Sequence, residues 1–89
     1  MTGRLNQKVV IVTGAAGGIG RALVRVMLGH GATVAALDVD EAALESLAAD
    51  HHADAARLMI RRTDISDYTE CAGAVEATLN QLGTVDGLI

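Results

Sequence analysis

"VTGAAGGIG", residues 12–20, places four glycines and two alanines in nine positions, at the end of the β-branched run "KVVIVT" of Lys8 to Thr13. A plain turn is satisfied by one or two glycines. The surplus therefore points to a backbone that takes φ > 0 repeatedly or to a ligand pressed against it. The upstream run reads as a strand buried on both faces. Downstream, Ile19, Ala22, Leu23, Val26 and Met27 fall at i, i+3, i+4, i+7 and i+8, one face of a helix that Gly29 and Gly31 stop. A glycine loop between a buried strand and a helix aims backbone N–H groups and the positive end of the helix dipole at one spot, which suits a phosphate. In this reading Gly14 permits the sharp turn, Gly18 lets a pyrophosphate approach the backbone, and Gly20 lets the helix pack on the strand. A mononucleotide P-loop is excluded, because it needs Gly-Lys-Ser/Thr where this chain has Gly20-Arg21-Ala22.

The pattern continues outward. "TVAALD", Thr33 to Asp38, predicts a second buried strand, and Leu44, Leu47 and Ala48 mark a helix from about Asp40 to Asp50. "ARLMIRR", Ala56 to Arg62, predicts a third strand. Ser66 or Asp67 caps a third helix whose expected buried face is Tyr68, Cys71, Val75, Leu79 and Leu82, and Gly83 ends it. "VDGLI", Val85 to Ile89, begins a fourth strand. The order βαβαβαβ predicts an α/β fold, a three-layer Rossmann-type doubly wound parallel sheet with right-handed crossovers. A complete doubly wound domain has two such halves, so residues 1–89 are expected to form the N-terminal, nucleotide-binding half, truncated in the fourth strand. No proline, linker or low-complexity segment divides them.

Composition narrows the function. Half of the 89 residues are apolar, with one Tyr and no Phe or Trp, which suits tight helix-on-sheet packing and argues against disorder. Residues 1–37 hold Arg4, Lys8, Arg21 and Arg25 and no carboxylate, whereas residues 38–89 hold all eleven acids against three arginines. The net charge of −4, without a basic stripe, excludes a nucleic-acid partner. A phosphorylated small molecule would still meet no like charge at the glycine loop. The lone Cys71, read as a small core residue, and the lack of signal-peptide regions predict a reducing, cytoplasmic setting. The longest apolar runs are too short for a membrane span.

A second element makes the nucleotide reading specific. Asp38 ends the second strand 18 residues after Gly20, where a carboxylate accepts hydrogen bonds from adenosine ribose hydroxyls. Its alternative role as a helix cap is one that Asp40 can fill. With strand, loop, helix and acid in register, "TGAAGGIG" resembles the Thr-Gly-x-x-x-Gly-x-Gly motif of the classical short-chain dehydrogenases/reductases, matched by Thr13, Gly14, Gly18 and Gly20. "DIS", Asp64 to Ser66, is similar to the family's acidic position after the third strand, and "VDGLI" to its fourth strand. The resemblance implies an NAD site made by Thr13, Gly14, Ala16, Gly17, Gly18, Ile19, Gly20, Asp38, Val39, Asp64 and Ile65. Asp64 would meet the adenine amino group and Ile65 the adenine ring.

It further implies an oxidoreductase that interconverts an alcohol and a carbonyl by hydride transfer, with a homo-oligomer as the full-length form. Because Gly17 is also glycine, the loop fits the Thr-Gly-x-x-Gly-x-x-Gly pattern of the extended branch too, which includes sugar-nucleotide epimerases; the aromatic usual in that branch at Gly18 is missing. A non-catalytic dinucleotide-binding or redox-sensing module is the other alternative. The family's catalytic Ser and Tyr-x-x-x-Lys pair lie nowhere in the 89 residues: Tyr68, expected in the core, is followed four residues on by Ala72. Adjacent His51 and His52 lack partners at metal-site spacing. Arg61 and Arg62 follow the third strand rather than the second, which argues against a 2′-phosphate site and for pairing with Asp64 or solvation.

Overall fold

The apolar run Val9–Thr13 has no polar alternation and so needs cover on both faces, which it finds as β1 inside a parallel sheet. The computed structural model describes residues 4–89. After β1 come α1 (Gly18–Gly29), β2 (Thr33–Asp38), α2 (Glu41–Asp50), a 3₁₀ segment (His52–Arg57), β3 (Leu58–Arg62), α3 (Tyr68–Leu82) and β4 (Gly87–Leu88). The strand order is β3-β2-β1-β4, with every pairing parallel. The first two crossovers step away from β1 and the third steps back across it, so a constant right hand puts their helices on opposite faces. The core divides accordingly. Val24 and Leu28 of α1 and Leu44 and Leu47 of α2 pack on Val10, Val12, Val34 and Ala36. On the other face Ala74 of α3 packs on Ile11, Ala35 and Leu37. The result is the expected three-layer α/β/α arrangement.

Local signals explain most boundaries. Asp40 caps α2 by accepting from Ala43 N–H, and Asp67 caps α3 by accepting from Thr69 and Glu70 N–H. Gly83 closes α3 in the left-handed region at φ 84°. β3 starts two residues later than expected, because Ala56 and Arg57 belong to the 3₁₀ segment. There the Arg57 guanidinium donates to the carbonyls of Leu28 (3.1 Å) and Ala32 (2.8 Å) and to Asp54 (2.7 Å). It thereby supplies the C-terminal positive charge that α1 lacks in its own last turn.

Both long helices are rotated from the expected faces. In α1 the fully buried residues are Gly20, Val24 and Leu28, with Leu23 and Met27 half-buried; Ile19 is 81% exposed, and Ala22 and Val26 also face outward. A Cβ on Gly20 would land on the Gly14 carbonyl, so it is the glycine, and not the largest apolar side chains, that must face the strand. In α3 the buried residues are Ala74 and Thr78, flanked by half-buried Cys71 and Leu82. Tyr68 is 87% exposed rather than core, and Val75 and Leu79 are exposed as well. The Asp67 cap and a hydrogen bond from Asp64 N–H to Glu70 (2.9 Å) set the rotation, which lets small side chains bring the helix close to the sheet. Cys71 lies at its edge, its Sγ 3.3 Å from the Ile65 carbonyl.

β4 is held by a residue just outside it. Asp86 accepts from Val9 N–H through Oδ2 (2.8 Å) and donates its own N–H to the Val9 carbonyl (2.7 Å). Val9 is buried, so Asp86→Ala strands its N–H and is expected to cost about 1–3 kcal/mol of stability. Urea denaturation checks this, and Asp86→Asn, which keeps an acceptor, is expected to lose less.

Candidate functional site

The site lies where β1, β2 and β3 end. Beyond Thr13 the chain turns at Gly14, whose φ of +62° makes it the one loop glycine in the left-handed region. Ala15, fully buried, donates its N–H to the Leu37 carbonyl (3.0 Å), and Ala16 donates to Asp38 Oδ2 (3.0 Å), so the loop is tied to the end of β2. Gly17 N–H returns to the Gly14 carbonyl (3.2 Å), and Gly17 caps α1 without a side chain. The next three N–H groups, of Gly18, Ile19 and Gly20, have no acceptor among the described residues. No acidic side chain occupies that first turn. The N-terminus of α1 is thus a cluster of unpaired donors at the positive end of a helix dipole.

The glycines divide by cause. Gly20 is required by the protein itself, since any side chain there would meet the Gly14 carbonyl and Ala15 Cα. Gly14 is required by its φ, and a Cβ there would touch nothing. Gly18 has neither reason: its φ is ordinary and the space over it is open. That opening lies beside the three free donors.

Asp38 and Asp64 flank a cavity of about 340 Å³ lined by Gly14, Asp38, Val39, Thr63, Asp64 and Ile65. Asp38 also accepts from Asp40 N–H through Oδ1 (2.9 Å), so each oxygen has one partner and keeps a lone pair for a further donor. Val39 and Ile65, each 56% exposed, are apolar side chains with open space on the cavity side. Thr63, buried, joins the strand ends by donating its N–H to the Asp38 carbonyl (2.8 Å). Sequence reasoning did not single out this threonine, and no local pattern marks it.

Asp64, which lines the cavity, accepts through Oδ1 from the Ser66 hydroxyl (2.6 Å) and N–H (3.0 Å), and its Oδ2 has no partner among the described residues. The Ser66 hydroxyl first, then its N–H, hold the Asp64 carboxyl below the usual carboxylate range, against a smaller opposition from desolvation and with the least contribution from Arg62. The stability this adds is present above the ordinary carboxylate value and is lost as pH falls through the lowered one. Ser66→Ala is expected to move the Asp64 titration upward, read by carboxyl-carbon NMR; an unmoved titration would assign the depression to another group.

The remaining residues sort plainly. The Thr13 hydroxyl donates to the Ile89 carbonyl (2.8 Å), joining the end of β1 to the residue that follows β4, and Thr13 does not line the cavity. Ile19 stands exposed at the start of α1. Register places Arg62 opposite Asp38, so chain separation does not keep them apart; Arg62 instead reaches Glu70 at 3.5 Å. His51 is half-buried at the end of α2 and His52 is exposed, and the described residues contain no cluster fit for a metal ion.

Comparison with known proteins gives this geometry a family. The family model for short chain dehydrogenases matches residues 8–89, nearly the whole chain. The chain belongs to the short-chain dehydrogenase family. It is 40% identical over 89 residues to a 3-beta-hydroxysteroid dehydrogenase of Comamonas testosteroni, with all of this chain aligned to 34% of that protein. It is 40% identical over 83 residues to a 2-(R)-hydroxypropyl-CoM dehydrogenase of Xanthobacter autotrophicus, covering 92% of this chain and 33% of that one. Among solved short-chain dehydrogenase folds, a 3-ketoacyl-(acyl-carrier-protein) reductase from Brucella melitensis complexed with NADH superposes with a TM-score of 0.87 at 33% identity, over 94% of this chain and 33% of that one. The chain spans about a third of the length of the curated relatives it matches.

Proposed function

We propose that this short-chain dehydrogenase chain binds the adenosine and pyrophosphate moieties of NAD, for an oxidoreductase that interconverts an alcohol and a carbonyl compound. The observation that carries the reading is the open space over Gly18 beside the unpaired N–H groups of Gly18, Ile19 and Gly20. Those donors would hold the pyrophosphate. Asp38 would accept from the ribose hydroxyls, Val39 and Ile65 would flank the adenine, and Asp64 Oδ2 would accept from its amino group. The Brucella reductase solved with NADH supports a nicotinamide dinucleotide. Asp38 supports NAD over NADP, because a 2′-phosphate would meet a like charge there, Ala15 and Ala16 offer no cation in compensation, and Arg62, opposite Asp38 in register, is paired with Glu70.

When bound, the cofactor supplies or accepts hydride at its nicotinamide. These residues bind and orient it; the sequence has no Tyr-x-x-x-Lys pair, Lys8 being its one lysine, so none of them is assigned a proton transfer. Among the described residues no helix is long and apolar enough to cross a membrane. Calorimetric titration of the chain with NAD tests the reading. Saturable binding with ADP as a competitor is expected, and absence of binding by either would overturn it.

A further inference from the structure

We infer that Arg21 is a positioning residue of the cofactor site, fixing the separation between the glycine loop and the β2–α2 corner. The inference rests on the nucleotide reading above and adds a residue that neither the glycine motif nor the cavity lining includes. Arg21 sits one residue past the unpaired donors of α1, where a positive side chain gains nothing from the helix dipole. Its guanidinium makes three contacts, two of them part-buried. Nε donates to the Ala16 carbonyl (2.9 Å), Nη2 to the Ala43 carbonyl (3.0 Å), and Nη1 pairs with Asp50 (3.3 Å). The side chain is 32% exposed, against 65% for Asp50, so the carbonyl contacts are its anchored end.

Ala16 is consequently gripped on both backbone groups by side chains. Asp38 holds its N–H and Arg21 holds its carbonyl. Asp38 ends β2 and Ala43 lies in the first turn of α2, so both grips lead back to the corner that carries Asp38 and Val39. One strap is direct and runs beside the cavity; the other passes through α1 by way of Arg21. Together they fix how far the phosphate donors stand from the ribose acceptor. The planar fork of arginine suits this task, since a lysine ammonium cannot address three groups in a plane.

A ligand that spans both subsites feels that separation, because its ribose and phosphates are covalently joined, and pre-set spacing spares it the cost of ordering the loop. A ligand that fills the adenosine subsite alone does not. NMR titration of the chain with ADP and with adenosine separates the two cases. Arg21→Leu is expected to weaken ADP by about tenfold while adenosine changes by less than about twofold. Arg21→Lys, which keeps the charge and reaches one carbonyl, is expected to lose less ADP affinity and provides a folded variant should leucine unfold the chain. Equal weakening of both ligands, or no change in either with Arg21→Leu, would overturn the positioning role; should leucine unfold the chain, unchanged ADP binding by Arg21→Lys overturns it. A wild-type chain that binds neither ligand would defeat the nucleotide reading itself, and this inference with it.

Discussion

Gly20→Val is expected to destabilise the chain by about 3 kcal/mol and to abolish NAD binding, whereas Gly18→Val is expected to abolish binding with stability changed by less than about 0.5 kcal/mol. The contrast follows from what each missing side chain would meet. At Gly20 it meets the Gly14 carbonyl and the Ala15 Cα, backbone atoms that move only if the β1 turn and the start of α1 separate. That junction also orients the three free N–H groups, so folding and binding fail together. At Gly18 a valine finds open space and an ordinary φ, and the fold has no reason to respond. The valine would, however, fill the approach to those donors. Urea denaturation and calorimetric titration of the two variants read both quantities. A Gly18→Val chain that binds NAD as the wild type does would leave the open space unexplained by a ligand.

Asp38→Ala is expected to weaken NAD by about tenfold to a hundredfold, the loss of charge-assisted hydrogen bonds of about 1.5–3 kcal/mol, and to narrow or reverse the preference over NADP. Two effects combine in this variant. The ribose hydroxyls lose their acceptor, and Ala16 N–H loses the carboxylate that ties the loop to β2. Asp38→Asn separates them, because the amide oxygen still accepts from Ala16 N–H while the negative charge facing a 2′-phosphate is gone. NADP affinity is therefore expected to rise more in Asp38→Asn than in Asp38→Ala. Paired titrations with NAD and NADP give the ratios directly. Wild-type binding of NADP as tight as that of NAD would contradict the assignment of Asp38 as the selecting residue.

How far the sequence foretold the fold depended on whether a feature was local. The β2 bounds, the Asp67 cap and the Gly83 stop were legible because each rests on the chemistry of a few adjacent residues. The helix faces were not. Counting large apolar residues at helical spacing placed Ile19 and Val26 of α1, and Tyr68, Val75 and Leu79 of α3, toward the sheet; the faces that approach it carry Gly20, Ala74 and Thr78. Close packing on a sheet selects small side chains, which carry little weight in a hydrophobic count. The assignment of Gly20 as the residue that packs the helix on its strand already implied the other face of α1.

For the site, the glycines, Asp38, Val39, Asp64 and Ile65 could be named from a motif and its flanks, and the structure gathers the four side chains around one cavity with Gly14. Thr63, Arg21 and Asp86 could not. Their roles depend on which strand lies beside which, and on a helix passing behind a loop, relations set by the β3-β2-β1-β4 order rather than by neighbours in sequence. Thr13 illustrates the reverse case. It belongs to the motif, yet its hydroxyl joins the end of β1 to the residue that follows β4.

The central claim is that NAD lies across the glycine loop and the cavity between Asp38 and Ile65. Backbone amide NMR of the isotope-labelled chain, titrated with NAD, tests it residue by residue. The largest shifts are expected at Gly14, Gly17, Gly18, Ile19 and Gly20, with further shifts at Asp38, Val39, Asp64 and Ile65. Shifts centred instead on the separate cavity lined by Arg25, His51, Asp54 and Arg57, or no shifts at saturating NAD, would contradict it.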